Sequence, residues 1–233
     1  MLDEARFAPQ AISRLLENDT EQYAALGANL REQAPTSLLT LARGSSDHAA
    51  HYLAYLVMAR LGRLVTSLPM SLITLYQSQL QCEGLVSLAF SQSGQSPDLI
   101  QPTQVLRQGG ARTIAFVNDA TSPLAQAAQW LFPFHSGQET SVAATKSYIA
   151  QLVAGARLVA TWQADTALQN ALQALPAALE VAAHKDWSVA VEVLKNADKL
   201  FVIGRGTGLA VALEAALKFK ETCGIQAEAF SGA

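Results

Sequence analysis

The chain has few cysteines, no long apolar run and no basic cluster, and each absence argues against a class of protein. It contains two cysteines in 233 residues, Cys82 and Cys223, too far apart for a metal-binding pair and typical of a reducing compartment. No run of 18 apolar residues occurs, so we expect no membrane partner. The net charge of -3, without a basic stretch, argues against nucleic acid as a partner. The first residues lack the pattern of a signal peptide, so we expect a soluble, cytoplasmic protein.

Short apolar runs alternate with segments of helical spacing after residue 37, and this order predicts an α/β fold. Its expected form is a five-stranded parallel sheet between two layers of helices. Pro133 cannot donate to a ladder, which predicts that the last strand lies at an edge. The weakly charged segment 141–163 predicts a long buried helix. The five strands are expected near 38–42, 64–68, 85–90, 112–117 and 130–134.

A partial internal repeat predicts the domain organisation. The turn 43–46 (Arg-Gly-Ser-Ser) and the turn 205–208 (Arg-Gly-Thr-Gly) each follow a predicted strand and precede a predicted helix. The second occurrence leaves room for one helix and two strands, so we expect an incomplete second copy, as in a fragment or truncated product. The predicted parts are N-terminal helices in 1–37, a first domain in 38–164, a helical connector in 165–197 and the start of a second domain in 198–233.

A hydroxyl-rich turn at 91–96 (Ser-Gln-Ser-Gly-Gln-Ser) is the first candidate binding site. It follows a predicted strand and precedes a helix opened by Ser96 and Pro97, where free N–H groups and the helix dipole favour an anion. The turn at 43–47 lies at another strand end, so both turns are expected to meet in one crevice. The alternative is a turn that only caps its helix. The pattern predicts phosphate binding.

The candidate acid–base groups are Glu214, Lys218 and Glu221. Their spacing of four and three residues places them on one face of a predicted helix. A partly desolvated carboxylate beside a lysine is suited to act as a general base. The alternative is a solvated, ion-paired helix face.

Other motifs do not support a cofactor or a metal. Gly204-x-Gly206-x-Gly208 departs from the G-x-G-x-x-G dinucleotide fingerprint, so NAD binding is not predicted. His48 and His51 lack further ligands at a metal-type spacing, and we interpret Asp47 as a helix cap. No serine stands in a G-x-S-x-G elbow. We therefore expect neither a cofactor nor a metal.

Four motifs in order resemble the sugar isomerase (SIS) domain family: ARGSS at 42–46, SQSG at 91–94, ETSVAATK at 139–146 and ALEAALKFKE at 212–221. The likeness runs from about residue 38 to the end of the chain. It is greatest to the isomerase half of glucosamine-6-phosphate synthase and to glucosamine-6-phosphate deaminases built from two SIS domains. The resemblance implies a flavodoxin-like sheet and a sugar-phosphate ligand.

The resemblance also implies roles for single residues. Glu221 would shuttle a proton between C1 and C2 of the open-chain sugar, with Glu214 and Lys218 as its polar neighbours. Family members often have serine at the position of Ala144, so one hydroxyl contact differs here. The implied substrate-binding residues are Ser45 and Ser46 for the sugar, Ser91, Gln92, Ser93 and Ser96 for the phosphate, and Val142 and Ala144 along the sugar.

The resulting hypothesis is a phosphosugar-binding aldose–ketose isomerase or deaminase that acts on an amino-sugar phosphate such as glucosamine-6-phosphate. The alternative is a non-catalytic, sugar-phosphate-binding regulatory protein. Residue 2 is leucine, so the cysteine nucleophile of a glutamine-hydrolysing synthase is not expected. The family's ring-opening histidine and late lysine would lie beyond Ala233, which again predicts a truncated second domain. The open second sheet and the apolar 141–163 helix predict a homodimer.

Overall fold

The computed structural model describes residues 1–232 and contains a five-stranded parallel sheet, as predicted. Its order is β2-β1-β3-β4-β5, so the strand with Pro133 does lie at an edge. Both faces of the sheet carry apolar side chains, as expected for parallel strands with helices on each side. The strands are β1 (Ser37–Leu41), β2 (Leu64–Ser67), β3 (Val86–Ser91), β4 (Arg112–Val117) and β5 (Trp130–Pro133).

Helices cover the sheet in two layers. The helices are α1 (Leu2–Glu17), α2 (Thr20–Gln33), α3 (Ser45–Leu61), α4 (Ser71–Thr74), α5 (Pro97–Gln108), α6 (Pro123–Ala127), α7 (Lys146–Gln163), α8 (Thr166–Ala183), α9 (Ser188–Leu194) and α10 (Gly208–Cys223). One core lies between the sheet and α1, α2, α3 and α7. The second core lies between the sheet and α4, α5 and α6. None of the helices described here combines the length and apolarity needed to cross a bilayer.

Two further strands, β6 (Lys199–Gly204) and β7 (Gln226–Ser231), form a separate parallel pair joined through α10. This strand–helix–strand unit repeats the order of β1, α3 and β2, as the repeated turn predicted. The unit is joined to the first sheet by packing of α10 against α3 and by Tyr148, whose hydroxyl donates to the carbonyl of Ala210 at 3.3 Å.

The predicted buried helix 141–163 begins later than expected, at Lys146. Glu139 accepts hydrogen bonds from the backbone N–H groups of Thr145 and Ser147, both at 3.1 Å, and so fixes the helix start. The helix is buried as predicted, because α1, α2, α3 and α8 pack on it. Its apolar surface is therefore covered within the chain, which removes it as an argument for a homodimer.

Three other boundaries differ from the sequence prediction, which is a helix over 48–61, two helices over 167–175 and 177–184, and a helix over 188–197. Helix α3 begins at Ser45 rather than His48, so Asp47 lies in its first turn and Gly44 occupies the cap position. The two helices expected on either side of Pro176 form the single helix α8, whose packing along α1 compensates for one missing N–H. Helix α9 ends at Leu194 instead of residue 197.

Candidate functional site

A cavity of about 230 Å³ opens at the carboxyl ends of β1 and β3, beside α10. These neighbouring strands form the topological switch point of a sheet with this order, the usual ligand site of such folds. The cavity is lined by Arg43, Ser45, Ser46, Gln92, Glu139, Ser141, Val142, Ala144, Lys218 and Glu221. A larger groove of about 950 Å³ lies elsewhere, between α9 and α10, with a mainly apolar lining.

The turn 91–96 contributes Gln92 to the cavity, while its serines mainly shape the backbone. The Ser91 hydroxyl is buried and accepts from the N–H of Gly94 at 3.0 Å, and the Ser93 hydroxyl accepts from the N–H of Gln95 at 3.3 Å. Ser96 is the cap residue of α5, with Pro97 as the first helical residue. The predicted strand–turn–helix geometry is present. Pro97 has no N–H and the Leu99 N–H donates to the Ser96 carbonyl at 3.0 Å, so the Asp98 N–H is the backbone donor that the first turn of α5 offers.

The turn after β1 brings Ser45 and Ser46 to the same cavity. Gly44 has φ of +57°, a conformation that glycine adopts without strain, and it lets α3 begin immediately after the strand. The Ser45 hydroxyl accepts from Lys218 Nζ at 3.2 Å, so this turn is also joined to α10.

Lys218 lies between the two carboxylates of α10, as the helical spacing predicted. Its Nζ is 2.6 Å from Glu221 Oε2 and 3.3 Å from Glu214 Oε1. Glu221 lines the cavity with a side chain 43% exposed, whereas Glu214 is buried at 5% exposure. Burial raises the pKa of Glu214, but hydrogen bonds from His48 and Ser45 and the charge of Lys218 outweigh it, so its pKa is lowered. Glu214 therefore stays ionised, and Glu221 is the carboxylate that reaches the cavity.

Four residues of this region were missed in the sequence: Arg43, His48, Glu139 and Ser141, the last a further residue of the cavity lining. Arg43 lines the cavity and forms an ion pair with Asp98 of α5. His48 Nδ1 lies 2.8 Å from Glu214 Oε2. Glu139 joins the cavity lining while it fixes the start of α7. Arg43 and Glu139 stand in the motifs that carry the family resemblance, but their polar partners are far away or irregularly spaced in the sequence.

The other predicted substrate contacts, Val142 and Ala144, lie on the irregular segment between β5 and α7. Val142 is fully exposed, and both residues line the cavity. The structure thus gathers seven of the eleven predicted site residues at one cavity: Ser45, Ser46, Gln92, Val142, Ala144, Lys218 and Glu221. Within residues 1–232, no three His, Cys, Asp or Glu side chains come together as a possible metal site.

Comparison with known proteins identifies the family. The SIS domain profile matches residues 32–160, more than half of the chain. The chain belongs to the SIS domain family. The isomerizing glutamine–fructose-6-phosphate aminotransferase of Symbiobacterium thermophilum is 34% identical over 207 residues, covering 82% of this chain and 33% of that relative. This SIS chain spans about a third to two-fifths of the length of the curated relatives that it matches (33%, 39% and 39% for three of them).

Solved structures share this fold over nearly the whole length of the described chain. A candidate phosphosugar isomerase from Silicibacter pomeroyi DSS-3 is 42% identical with a TM-score of 0.96, covering 99% of this chain and 71% of that one. The C-terminal domain of glucosamine-fructose-6-phosphate aminotransferase from Francisella tularensis has a TM-score of 0.81 at 21% identity, covering 99% and 69%. The predicted family and fold class are thereby confirmed.

Proposed function

We propose that this SIS protein binds a phosphosugar in the β1/β3 cavity and interconverts its aldose and ketose forms. The proposed substrate is an amino-sugar phosphate such as glucosamine-6-phosphate, which would also lose ammonia. The observation that carries the proposal is that the serines of the turn after β1, Gln92 of the turn 91–96 and the Lys218–Glu221 pair line one cavity. An anion-binding turn and an acid–base group within one small cavity are the two parts that such a reaction needs.

In this proposal the phosphate lies on the turn 91–96. The Asp98 N–H in the first turn of α5 and the side chain of Gln92 are available as donors, and Arg43 supplies positive charge nearby. The sugar carbons extend from there between Ser45 and Ser46 on one side and the 142–144 segment on the other. Anchoring the phosphate fixes C1 and C2 relative to α10.

The proposed chemistry is a proton transfer by the Glu221 carboxylate on the open-chain sugar. Glu221 takes the C2 proton, the electron pair forms a C1–C2 double bond, and the C1 carbonyl oxygen takes up a proton. Return of the proton to C1, with loss of the oxygen-bound proton from C2, gives the ketose. When C2 carries an amine, the same step gives an imine at C2, which water hydrolyses to the ketose and ammonia. Lys218 pairs with Glu221 at 2.6 Å, and buried Glu214, 3.3 Å from the same Nζ, holds Lys218 in place.

The test measures ammonia and ketose release from glucosamine-6-phosphate by the full-length gene product and by its Glu221→Gln variant. We expect the variant to bind the sugar phosphate but to lose turnover. The matched control is Glu192→Gln on α9. Glu192 also pairs with a lysine three residues away, at 2.5 Å from Lys195, but it is not one of the residues that line the cavity. The control is expected to keep full activity.

The outcomes separate the two functions considered for this sequence. Turnover that Glu221→Gln abolishes supports the enzyme. Binding of glucosamine-6-phosphate without turnover, unchanged in Glu221→Gln, would replace it with the regulatory, sugar-phosphate-binding alternative. No binding of either a sugar phosphate or inorganic phosphate would refute both.

The proposal includes a homodimer and a cytoplasmic location. Large apolar side chains of β6, β7 and α9 are exposed, among them Phe201 at 76%, Ile203 at 70% and Val189 at 77%, and a second copy of the chain would cover them. A monomer by light scattering at micromolar concentration would contradict the dimer. Cys82 and Cys223 are both free thiols, which fits a reducing compartment. The domain boundaries at 37, 164 and 197 remain predictions.

A further inference from the structure

The segment between β5 and α7 forms one wall of the cavity although it has no regular secondary structure. It contributes Glu139, Ser141, Val142 and Ala144 to the lining. A wall without its own helix or strand keeps its shape only through contacts with neighbouring elements. Its two ends are held by Asn118, which accepts from Ser136, and by Glu139, which accepts from the N–H groups at the start of α7.

The middle of this segment is held by a residue near the N-terminus. Glu4 of α1 accepts hydrogen bonds through Oε1 from the backbone N–H of Thr140, at 2.6 Å, and from the Thr140 hydroxyl, at 3.3 Å. The Glu4 side chain is only 12% exposed, so these are shielded, charge-assisted hydrogen bonds. The contacted residue is adjacent to Ser141 of the cavity wall and two positions before Val142.

Glu4 also balances a buried positive charge. Lys146 Nζ lies 4.0 Å from Glu4 Oε1 and 5.2 Å from the centre of the Phe7 ring, and the Lys146 side chain is 7% exposed. Burial raises the pKa of Glu4. Hydrogen bonds from Ser141 and Thr140 and the charge of Lys146 outweigh this effect, so the pKa is lowered to about 2. Helix α1 thus brings both a carboxylate and an aromatic ring to the base of the cavity wall.

We infer that Glu4 is a positioning residue for substrate: it fixes the 140–144 wall so that Val142 and Ala144 face a bound sugar. Glu4 lies outside residues 32–160, the part matched by the SIS profile, so the profile match assigns it no role. The inference rests on the proposed function, because it assumes that the cavity holds a phosphosugar. It predicts that Glu4 affects the sugar part of the ligand and not the phosphate part.

The test compares Glu4→Ala, Glu4→Gln and Asp3→Asn, with binding of glucosamine-6-phosphate and of inorganic phosphate measured separately. Asp3→Asn removes an exposed charge from the same first turn of α1, so it controls for the helix dipole. Glu4→Gln keeps an acceptor for the Thr140 N–H. We expect Glu4→Ala to weaken glucosamine-6-phosphate binding by at least about tenfold, because one charge-assisted hydrogen bond is lost. Glu4→Gln should recover part of the lost affinity. Inorganic phosphate, which occupies only the 91–96 turn, should bind all variants equally.

Amide hydrogen exchange provides a readout that does not require turnover. Residues 138–145 should exchange faster in Glu4→Ala than in wild type or Asp3→Asn, with β3 and β4 unchanged. Equal weakening for both ligands, or faster exchange throughout the protein, would show a general structural role and overturn the inference. If the wild-type protein binds inorganic phosphate but not glucosamine-6-phosphate, the proposed sugar ligand is refuted. Faster exchange confined to residues 138–145 in Glu4→Ala would in that case show that Glu4 fixes the wall, but not that it positions a sugar.

Discussion

His48 and Glu214 join α3 to α10 through a hydrogen bond of 2.8 Å between Nδ1 and Oε2, across 166 positions of sequence. The imidazole is 19% exposed and the carboxylate 7%. A buried carboxylate is stable only when its charge is compensated. His48 hydrogen-bonds to Oε2, and Lys218 forms an ion pair with Oε1 at 3.3 Å. The bond therefore connects the turn after β1 with the helix that carries Glu221.

We predict that His48→Ala destabilises the protein by about 1–3 kcal/mol, the cost of leaving a buried polar group without its partner. The free energy of unfolding from urea titration is the measurement. His48→Asn, which keeps a side-chain N–H donor near the Nδ1 position, should recover part of the loss. His51→Ala on the exposed face of the same helix controls for helix propensity. Equal effects of His48→Ala and His51→Ala would contradict a specific role for the bond.

Glu4 is predicted to make stability depend on pH in the acid range. Its pKa is lowered from 4.5 to about 2 in the folded protein. The ionised group therefore contributes stability that is fully present above pH 4.5 and is lost as the pH falls towards 2. Glu4→Gln should be less stable than wild type at neutral pH, and this difference should shrink between pH 4.5 and 2.

Urea midpoints of wild type and Glu4→Gln, measured at several pH values, test this difference directly. Other lowered carboxylates, such as Asp165, remain in both proteins and cancel in the comparison. Asp3→Asn again controls for the charge of the first helical turn. A constant difference between wild type and Glu4→Gln across the acid range would show that Glu4 is not held in its charged form.

The sheet could be predicted because buried parallel strands are nearly continuous apolar runs. The run at 112–117 coincides with β4, and Pro133 placed β5 at the edge. The start of α7 could not be predicted from composition, because Val142 to Ala144 suit a helix as well as a loop. The deciding contacts come from Glu139, whose carboxylate accepts the N–H groups that a longer helix would have used itself.

The candidate site was predictable where function depends on local geometry. Turns at strand ends and the i, i+4, i+7 spacing of α10 were sufficient to bring Gln92, Ser46 and Glu221 to one cavity. The partners of Glu214 and Thr140 lie 166 and 136 residues away, and no local pattern indicates such contacts. The direction of a short side chain could not be predicted from the sequence either. The Ser91 and Ser93 hydroxyls accept hydrogen bonds from N–H groups of their own loop.

Gly94 is predicted to be essential for the geometry of the turn 91–96. It has φ of +65°, and a Cβ atom there would lie 2.1 Å from the Ser122 hydroxyl oxygen, which itself caps α6. Gly94→Ala therefore combines left-handed strain of about 1–2 kcal/mol with a steric clash, and both inorganic phosphate binding and stability should fall.

Gly84→Ala is the matched control for this substitution. Gly84 also has positive φ, +77°, but its added Cβ would meet no described atom within 4 Å. It should lose only the strain energy and keep phosphate affinity. If Gly94→Ala and Gly84→Ala lose the same stability and both bind phosphate normally, close packing of the turn against Ser122 is not required for the site.

The last prediction concerns Arg43, which lines the cavity together with Lys218 and pairs with Asp98 in the first turn of α5. Both side chains are about half exposed, 59% and 48%, so the pair itself contributes little to stability. A phosphate on the turn would compete with Asp98 for the guanidinium. We therefore expect Asp98→Asn to strengthen inorganic phosphate binding by up to about fivefold, and Arg43→Gln to weaken it.

The double variant Arg43→Gln/Asp98→Asn separates two causes of that gain. Removal of Asp98 also relieves direct repulsion between its carboxylate and a phosphate at the start of α5, and this part should persist without Arg43. The part that depends on Arg43 should disappear in the double variant, which a double-mutant cycle of calorimetric affinities measures. Both parts of the gain in phosphate affinity should become smaller at higher salt concentration, because the Arg43 and Asp98 side chains are exposed. An equal gain from Asp98→Asn with and without Arg43 would show that the guanidinium does not reach the phosphate, and the turn 91–96 would then bind its anion through neutral donors alone.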